Sequence, residues 1–246
     1  MRFRYVLLSI IGVAVALGCF RLSKWQIDRM GERRERNAML AERMASVAVP
    51  ITDIPNETAA AQYRRTSVRG VFDYEHELGL ALRAREGSPG VYILTPLRLA
   101  DGRTLLTVRG WVYAPDGMTI DFARWREGDS VDAQGFIDTF VSARGPVTME
   151  SRPQLARQLV RDSLLPRLGE GTQLLPYVLA LTTPVVASET TPARLAPPAI
   201  TAGPHLSYAI QWAVFGIIAL VGTFLALRRG VAERRSNAVA PSAVAG

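Results

Sequence analysis

The amino-acid sequence predicts a membrane protein: two terminal transmembrane α-helices flank an α+β extramembrane domain with an antiparallel β-sheet or barrel. Three observations predict this fold class. Residues 5–20 and 206–227 carry no charge, the long stretch between them carries charges every few residues, and that stretch contains short apolar runs separated by turn residues. The chain of 246 residues has room for one domain of ordinary size besides the two helices.

The second uncharged stretch has the length of a membrane span. Its 22 residues correspond to about 33 Å of helix, and a hydrocarbon core is about 30 Å thick. Tyr208 and Trp212 stand near its start, and Arg228 follows its end. Aromatic residues at one interface and arginines at the other are typical membrane anchors.

The first uncharged stretch is shorter, with 16 residues between Arg4 and Arg21. Arginines at both ends can extend their charged groups toward water, and Leu22 and Trp25 lengthen the apolar face. A cleaved signal peptide is one alternative, but no small-x-small cleavage site follows the apolar run. A lipoprotein signal ending at Cys19 is another, and the residues before this cysteine match it poorly. An uncleaved transmembrane helix is therefore favoured over both.

The net charge of +7 is concentrated at the chain ends, which together carry a net charge of +5. This pattern predicts cytoplasmic ends and an outer domain, and it excludes nucleic-acid binding, which needs a basic patch on a folded domain. A basic segment after the first helix opposes this orientation, but long domains cross membranes largely regardless of charge. The expected organisation is a cytoplasmic N-terminus (1–4), helix 1 (5–23), a periplasmic domain (24–204), helix 2 (205–227) and a basic, disordered cytoplasmic tail (228–246).

The domain itself is predicted to begin with a helix over residues 24–47 that continues the first span. Alternating apolar residues then predict two strands within residues 63–83, and Asp101-Gly102 between two apolar runs predicts a β-hairpin. Pro96 in the first hairpin strand predicts an edge strand or a bulge. Residues 131–142 and 177–182 are expected as strands, and residues 153–168 as an amphipathic helix. Cys19 is the one cysteine of the chain, so the domain holds no disulfide or thiolate metal site.

Catalytic motifs are absent from the sequence, which contains two histidines, His76 and His205. We therefore do not expect an enzyme. His205 lies at the outer end of the second span and shares a helix face with Tyr208 and Trp212. An imidazole here could serve as an axial ligand of haem iron, or it could anchor the helix at the lipid headgroups. Beyond such an iron, no metal site is expected.

Two further patterns have open interpretations. Small residues in the second span, including Ala209 and Gly216, allow close approach of another helix, either the first span, with Gly12/Ala16 and Ala14/Gly18, or another protein. Arg109-Gly110-Trp111 ends a hairpin strand and indicates either a bulge with a packed tryptophan or a binding surface.

Together these features resemble the Surfeit locus protein one family, membrane assembly factors for cytochrome c oxidase. The resemblance extends from the first span to the second. Its carriers follow one another in a specific order: Trp25-Gln26-x-x-Arg29, Val68-Arg69-Gly70-Val71-Phe72, Gly90, Leu94-Thr95-Pro96-Leu97, Asp101-Gly102, Arg109-Gly110-Trp111-Val112 and His205-Leu206-x-Tyr208-Ala209-x-x-Trp212.

The resemblance implies assembly of the oxidase rather than catalysis. Members of the family assist haem a insertion into subunit I, and His205 matches a histidine through which some bacterial members are thought to bind haem a. The implied partners are the lipid bilayer, subunit I of the oxidase and haem a synthesis enzymes. The implied location is the bacterial inner membrane, since no transit peptide precedes the first span. In the family, the other motif positions have structural or interaction roles.

Two departures from the family pattern affect this interpretation. Tyr113-Ala114 stand where the family has a proline after Arg-Gly-Trp-Val, and Gly203-Pro204 replace the asparagines that often precede the histidine. Two other functions therefore stay open. One is a cofactor-free scaffold for an oxidase complex, and the other is a membrane-tethered enzyme whose sign would be a deep polar pocket with shifted titratable groups.

Overall fold

The computed structural model describes residues 2–149, 151–183 and 190–239. Its contacts divide the chain into a helical unit, Met1–Met39 with Ile200–Gly246, and a β domain, Leu40–Ala199. The α-helices are α1 (Arg2–Ala45), α2 (Thr58–Ala61), α3 (Arg161–Leu164) and α4 (His205–Val239). The strands are β1 (Val49–Pro50), β2 (Arg65–Phe72), β3 (Leu78–Arg85), β4 (Ser88–Arg98), β5 (Thr104–Tyr113), β6 (Ser130–Thr139), β7 (Leu155–Ala156) and β8 (Leu174–Leu181).

The helical unit contains two helices, α1 and α4, that are long and apolar enough to cross a membrane. Only 17% of the most apolar window of α1 and 6% of that of α4 are buried. The core helix of a water-soluble protein would be mostly buried, whereas a helix that faces lipid keeps its apolar side chains on the outside. Two apolar terminal helices therefore flank the β domain in the sequence, as predicted.

Small residues line the contact between α1 and α4. Ala16 and Ala209 are 1% and 3% exposed, and a Cβ added at Gly216 would lie 3.0 Å from the ring of Phe20. A Cβ at Gly12 would collide with the side chain of Thr223. Both helices therefore depend on small residues for their close approach. Of the small residues predicted on the first span, Gly12 and Ala16 lie at this contact, whereas a Cβ at Gly18 would meet no atom within 4 Å.

The β domain is built around a closed barrel in which each strand hydrogen-bonds to two neighbours. The order is β2-β6-β8-β5-β4, and β4 pairs again with β2 through two residue pairs, Val71 with Arg98 and Phe72 with Leu97. We call this short closure the seam. On one side of β4 lies β3, with the two-residue β7 beyond it, and β1 lies alongside β2.

Two apolar layers stabilise the barrel, one on each side of its wall. Alternate residues of β8 point inward and outward, so Leu175, Tyr177 and Leu179 fill the interior while Val178 faces outward. The outer layer is covered by α3 and the following 3₁₀ turn, which contribute Leu164 and Leu168. Because both faces of β8 are buried, its sequence is an almost continuous apolar run.

Most predicted elements are confirmed, including the continuation of the first helix to Ala45, the two strands within 63–83 and the Asp101-Gly102 hairpin. The prediction of an amphipathic helix over residues 153–168 was wrong. Leu155 and Ala156 instead pair with the edge strand β3, and only α3 with one 3₁₀ turn is helical. The spacing of apolar residues in this segment does not show that the free edge of β3 is close enough to pair with Leu155 and Ala156.

The sheet is mostly antiparallel, as expected, but three pairings are parallel: β1–β2, β3–β7 and β5–β8. Pro96 does not mark an edge strand. It lies where the neighbour of β4 changes from β3 to β2, and its carbonyl accepts a hydrogen bond from the Asp73 amide at 2.8 Å. Proline has no N–H to donate, so it suits the position in β4 between the pairing with β3 and the pairing with β2.

Candidate functional site

A contact between the two long helices forms the first candidate site. His205, the first residue of α4, is half-buried, and its Nδ1 lies 2.8 Å from Oε1 of Gln26 on α1. These residues are 179 positions apart in the chain. The structure thus joins two motifs that sequence analysis had treated separately.

The contact with Gln26 orients the imidazole of His205. An amide oxygen only accepts hydrogen bonds, so Nδ1 is the donor in this pair. In the neutral ring, Nε2 then carries a lone pair. Proteins use the same arrangement at metal-binding histidines, where a hydrogen bond from one ring nitrogen fixes the other as the ligand.

Neighbouring contacts hold α1 and α4 together around this pair. The Ser23 hydroxyl on α1 donates to the Ala209 carbonyl of α4 at 2.8 Å, and the Asn37 side-chain amide donates to the Thr201 carbonyl at 2.9 Å. Gln26 lies between Ser23 and Asn37 on the same face of α1. His205 is therefore held by polar contacts on both sides.

The aromatic residues predicted for this site lie at or near the surface of the helical unit. Tyr208 and Trp25 are about half exposed, and Trp212 packs edge-on against Phe215 at 5.9 Å between ring centroids. The guanidinium of Arg29 lies over the ring of Trp25. By helical spacing, Tyr208 and Trp212 share the α4 face that carries His205.

A buried charge network in the β domain forms the second candidate site. Arg109 is 0% exposed, and its guanidinium donates to Glu77 at 2.7 Å, to Glu127 at 2.8 Å and to the Trp125 carbonyl. Thr95 also donates to the same Glu77 oxygen, at 2.9 Å. The structure therefore places the Arg109 side chain in the interior rather than on a binding surface.

Arg109 lies on the same face of β5 as the interior residue Leu105, and it is also part of a β-bulge. Between β4 and β5, Ile93 pairs with Gly110 and Leu94 pairs with Val108, so Arg109 is the extra residue of the bulge. The predicted bulge is thus confirmed. The rings of Phe72 and Tyr74 lie 5.3 Å from the guanidinium and cover it. Aromatic rings and two carboxylates together compensate the buried charge.

The titration behaviour of the network follows from its burial. Burial raises the pKa of Glu77 above its ordinary value, and hydrogen bonds from Thr95 and Arg109 oppose this rise. Burial likewise raises the pKa of Tyr74, whose hydroxyl donates to the Gly128 carbonyl at 2.6 Å. Glu77 Oε2 is buried without a hydrogen-bond partner among the described residues.

The same network fastens the segment that leads toward α4. Arg194 binds Glu127, and it donates to the Arg109 carbonyl at 2.7 Å. Next to it, Ala193 pairs with Trp111 through two backbone hydrogen bonds of 2.8 Å. We call these contacts the clasp. Through it, the Arg-Gly-Trp motif holds residues 193–194 against β5.

The motif glycines lie where backbones approach closely. A Cβ at Gly70 would come within 2.5 Å of the Arg98 carbonyl at the seam, and one at Gly110 would come within 2.6 Å of the Ala193 carbonyl at the clasp. Gly90 leaves room for the indole of Trp111, whose Nε1 donates to Arg83. These positions therefore act in packing.

A third cluster contains Asp73, Glu75 and His76, whose possible ligand atoms lie within 4.8 Å of one another. Asp73 Oδ2 is 2.6 Å from the Arg98 guanidinium and 2.9 Å from His76 Nδ1. Burial opposes ionisation, but these two hydrogen bonds outweigh it and hold the pKa of Asp73 below its ordinary value. Because a guanidinium already occupies this carboxylate, the cluster disfavours a cation.

Two grooves on the β domain, of about 430 and 480 Å³, bear on the enzyme hypothesis. Both have mostly apolar walls, and neither is lined by Glu77, Tyr74 or Arg109. The titratable groups with burial-raised pKa values therefore lie outside these grooves. This separation weakens the case for an acid–base catalyst there.

The polar partners in these sites were missed from the sequence. Glu77, Glu127 and Arg194 are separated from Arg109 by 32, 18 and 85 residues. Charged residues in loops usually face solvent, so nothing in their spacing indicated burial. Ser23 was missed for a similar reason, since a single hydroxyl beside an apolar run carries no pattern.

Fold and sites together define a class of protein: two apolar helices joined by a polar contact at His205, with a barrel domain whose motif residues stabilise its own interior. The particular family follows from comparison with known proteins. The family model described as the SURF1 family matches residues 13–217, which is most of the chain, so this chain belongs to the SURF1 family. The resemblance noted in the sequence is thereby confirmed.

Individual relatives agree with this assignment. A SURF1-like protein of Mycobacterium bovis is 27% identical over 265 residues, covering 96% of this chain and 89% of the relative. Surfeit locus protein 1 of Homo sapiens is 32% identical over 164 residues, covering 60% of this chain and 54% of the human protein. The Gallus gallus protein of that name is 34% identical over 114 residues, covering 40% of this chain and 37% of its own length. None of these names describes a catalysed reaction.

Proposed function

We propose that this chain is an assembly factor for cytochrome c oxidase in the bacterial inner membrane. In this proposal, α1 and α4 cross the lipid bilayer and the β domain lies in the periplasm. The partners are subunit I of the oxidase and enzymes of haem a synthesis. Membership in the SURF1 family and the two apolar helices support the proposal.

We further propose that the protein binds haem a while assisting its insertion into subunit I. The observation that carries this step is the hydrogen bond between His205 Nδ1 and Gln26. It leaves Nε2 as the nitrogen with a lone pair, which is the donor that haem iron accepts. No hydrogen bond to Nε2 occurs within residues 2–149, 151–183 and 190–239.

The residues around His205 fit such a ligand. When bound, haem a supplies an iron centre that takes an imidazole as axial ligand. Gln26 would hold the imidazole, and the half-exposed ring of Tyr208 and the partly exposed Trp212 would offer apolar surface beside it. Ser23 and Asn37 would fix α1 against the chain around His205, so the ring would already be oriented before binding.

A deletion strain tests the assembly function. Loss of the protein should lower cytochrome c oxidase activity and the haem a absorbance of membranes, while an unrelated membrane dehydrogenase keeps its activity. Plasmid-borne wild type should restore both signals. An unchanged oxidase in the deletion strain would refute the proposal.

Purified protein tests the haem site separately. After coexpression with haem a synthesis enzymes, the wild type should copurify with haem and show the spectrum of a histidine-ligated iron. His205→Ala should lose that spectrum, and Gln26→Leu should weaken retention of haem. His76→Gln is the matched control, because it removes the other histidine, in the β domain. A spectrum that survives His205→Ala would exclude His205 as the ligand.

A cofactor-free scaffold is a second candidate, favoured by the interior position of the β-domain motifs. Arg109 and Gly110 contact the interior of the barrel and the clasp rather than a surface that a ligand could reach. A wild type that restores the oxidase yet never copurifies with haem would favour this function. His205→Ala would then complement the deletion strain as well as wild type does.

A further inference from the structure

We propose that Arg33 and His205 form a two-point site in which Arg33 binds a carboxylate of the haem whose iron His205 ligates. This inference rests on the haem-binding part of the proposed function and adds a recognition element to it. Arg33 lies outside the motifs that carry the family resemblance. It is half-buried on α1, two helical turns beyond Gln26.

The geometry around Gly203 places Arg33 beside the free side of the imidazole. A Cβ at Gly203 would lie 2.9 Å from Arg33 Nη1 and 3.6 Å from His205 Nε2. Both nitrogens therefore flank the same point. Gly203 has φ +68, a left-handed conformation that glycine adopts without strain. Absence of a side chain here keeps the guanidinium and Nε2 next to each other.

Arg33 has no anionic partner among the residues that the structure describes. The chain neighbours on its helix face are Arg29 and Arg36, which are cationic, and Asn37, whose amide is already bonded to Thr201. Lys24 and Arg29, in contrast, form ion pairs with Asp28 and Glu32. A half-buried guanidinium without a carboxylate is suited to receive one from a ligand.

The position of His205 strengthens the preference for an anion. It is the first residue of α4, where backbone N–H groups point out of the helix and the helix dipole is positive. A haem combines a metal, an apolar ring and two carboxylates. The site offers a group for each of them: a lone pair on Nε2, aromatic surface, and a guanidinium with no anionic partner in the described part of the chain.

Metal-free protoporphyrin tests the Arg33 contact without iron ligation. The full-length protein in phosphatidylcholine nanodiscs is titrated with protoporphyrin and with its dimethyl ester, and binding is followed by quenching of tryptophan fluorescence. Wild type should bind the free acid about tenfold more tightly than the ester. Arg33→Gln should abolish this preference, Arg33→Lys should retain part of it, and Arg34→Gln, which removes a neighbouring exposed charge, should keep it whole.

The outcomes separate the inference from the proposed function. Equal affinities for acid and ester, unaffected by Arg33→Gln, would overturn the inference even if iron haem still shows a His205-dependent spectrum. An Arg33-dependent preference without that spectrum would overturn the two-point site, because Arg33 would then bind a carboxylate of a porphyrin whose iron His205 does not ligate. If wild type binds neither metal-free protoporphyrin nor iron haem, both the inference and the proposed haem binding are overturned.

The phosphate group of a lipid is another anion that Arg33 could bind. The titration is therefore repeated in nanodiscs with added phosphatidylglycerol. An Arg33 effect that persists there would support a ligand carboxylate. An effect that disappears in the anionic lipid would show that phosphate takes the site, and would overturn the assignment.

Discussion

Replacement of Arg109 by methionine tests whether the buried charge network stabilises the β domain. Methionine keeps much of the length of the side chain and removes the guanidinium. Glu127 would retain its partner Arg194, but Glu77 would keep only the Thr95 hydroxyl and Arg126, whose Nε is 3.9 Å away. The substitution therefore leaves one carboxylate, 3% exposed, without adequate compensation.

The magnitude follows from that uncompensated charge. Removing one partner of a buried ion pair costs about 3–5 kcal/mol of unfolding free energy. For a domain of about 150 residues this corresponds to a fall of roughly 6–20 °C in Tm. Adding Glu77→Gln to Arg109→Met removes the isolated charge and should recover about 1–3 kcal/mol.

Thermal unfolding of the full chain in detergent, followed by near-ultraviolet circular dichroism, measures these changes. Arg69→Met is the control, because the Arg69–Asp132 pair is 84% and 61% exposed and should contribute about 1 kcal/mol or less. The reasoning fails if Arg109→Met unfolds within about 1 kcal/mol of wild type. It also fails if the double variant is no more stable than the single one.

Three further predictions concern single positions. Asp73→Asn should destabilise the protein at pH 7. The lowered pKa of Asp73 contributes stability that is fully present above pH 3.8 and is lost as pH falls through the pKa of the folded state, so the difference from wild type should shrink below pH 3.8. Urea midpoints of both proteins at pH 7 and pH 3 measure this change. Gly110→Ala should break the pairing with Ala193 and speed proteolysis near residues 190–199, seen on gels. Gly12→Ala should lower the Tm of the helical unit, whereas Gly18→Ala, which meets no atom within 4 Å, should not.

Each of these predictions has an opposing result. A pH-independent effect of Asp73→Asn would mean that its ion pair with Arg98 adds nothing to stability. Unchanged proteolysis of Gly110→Ala would show that the clasp tolerates a methyl group. Equal behaviour of the two helix variants would remove Gly12 from the helix contact.

Local patterns predicted the parts of the fold that depend on neighbours in sequence. The uncharged stretches predicted both long helices. Asp101-Gly102 predicted the hairpin between β4 and β5, because two residues suffice to form a tight turn. The parallel pairing of β5 with β8 could not be predicted in the same way. This pairing depends on which strands the barrel brings together. In addition, β8 is buried on both faces, so its sequence lacks the alternation of apolar and polar residues that shows which face of a strand is buried.

The candidate sites show the same division. His205 was identified as a possible ligand from its position at a helix end, but its partner Gln26 lies at the other end of the chain. Arg109 was recognised only as part of a bulge motif. Its interior position required the carboxylates of Glu77 and Glu127, and a charged residue is assigned to the surface unless its partners are known.

The seam of the barrel has a consequence for how the β domain opens. Two residue pairs close β2 on β4, whereas β2 pairs with β6 over seven. Hydrogen exchange should therefore reach the amide of Asp73, which donates across the seam to the Pro96 carbonyl, through a local opening that leaves the other ladders intact. Such an opening would admit water to the side of the barrel that holds Phe72, and with it to the guanidinium of Arg109. The least protected line in the barrel wall thus runs beside its most costly buried charge.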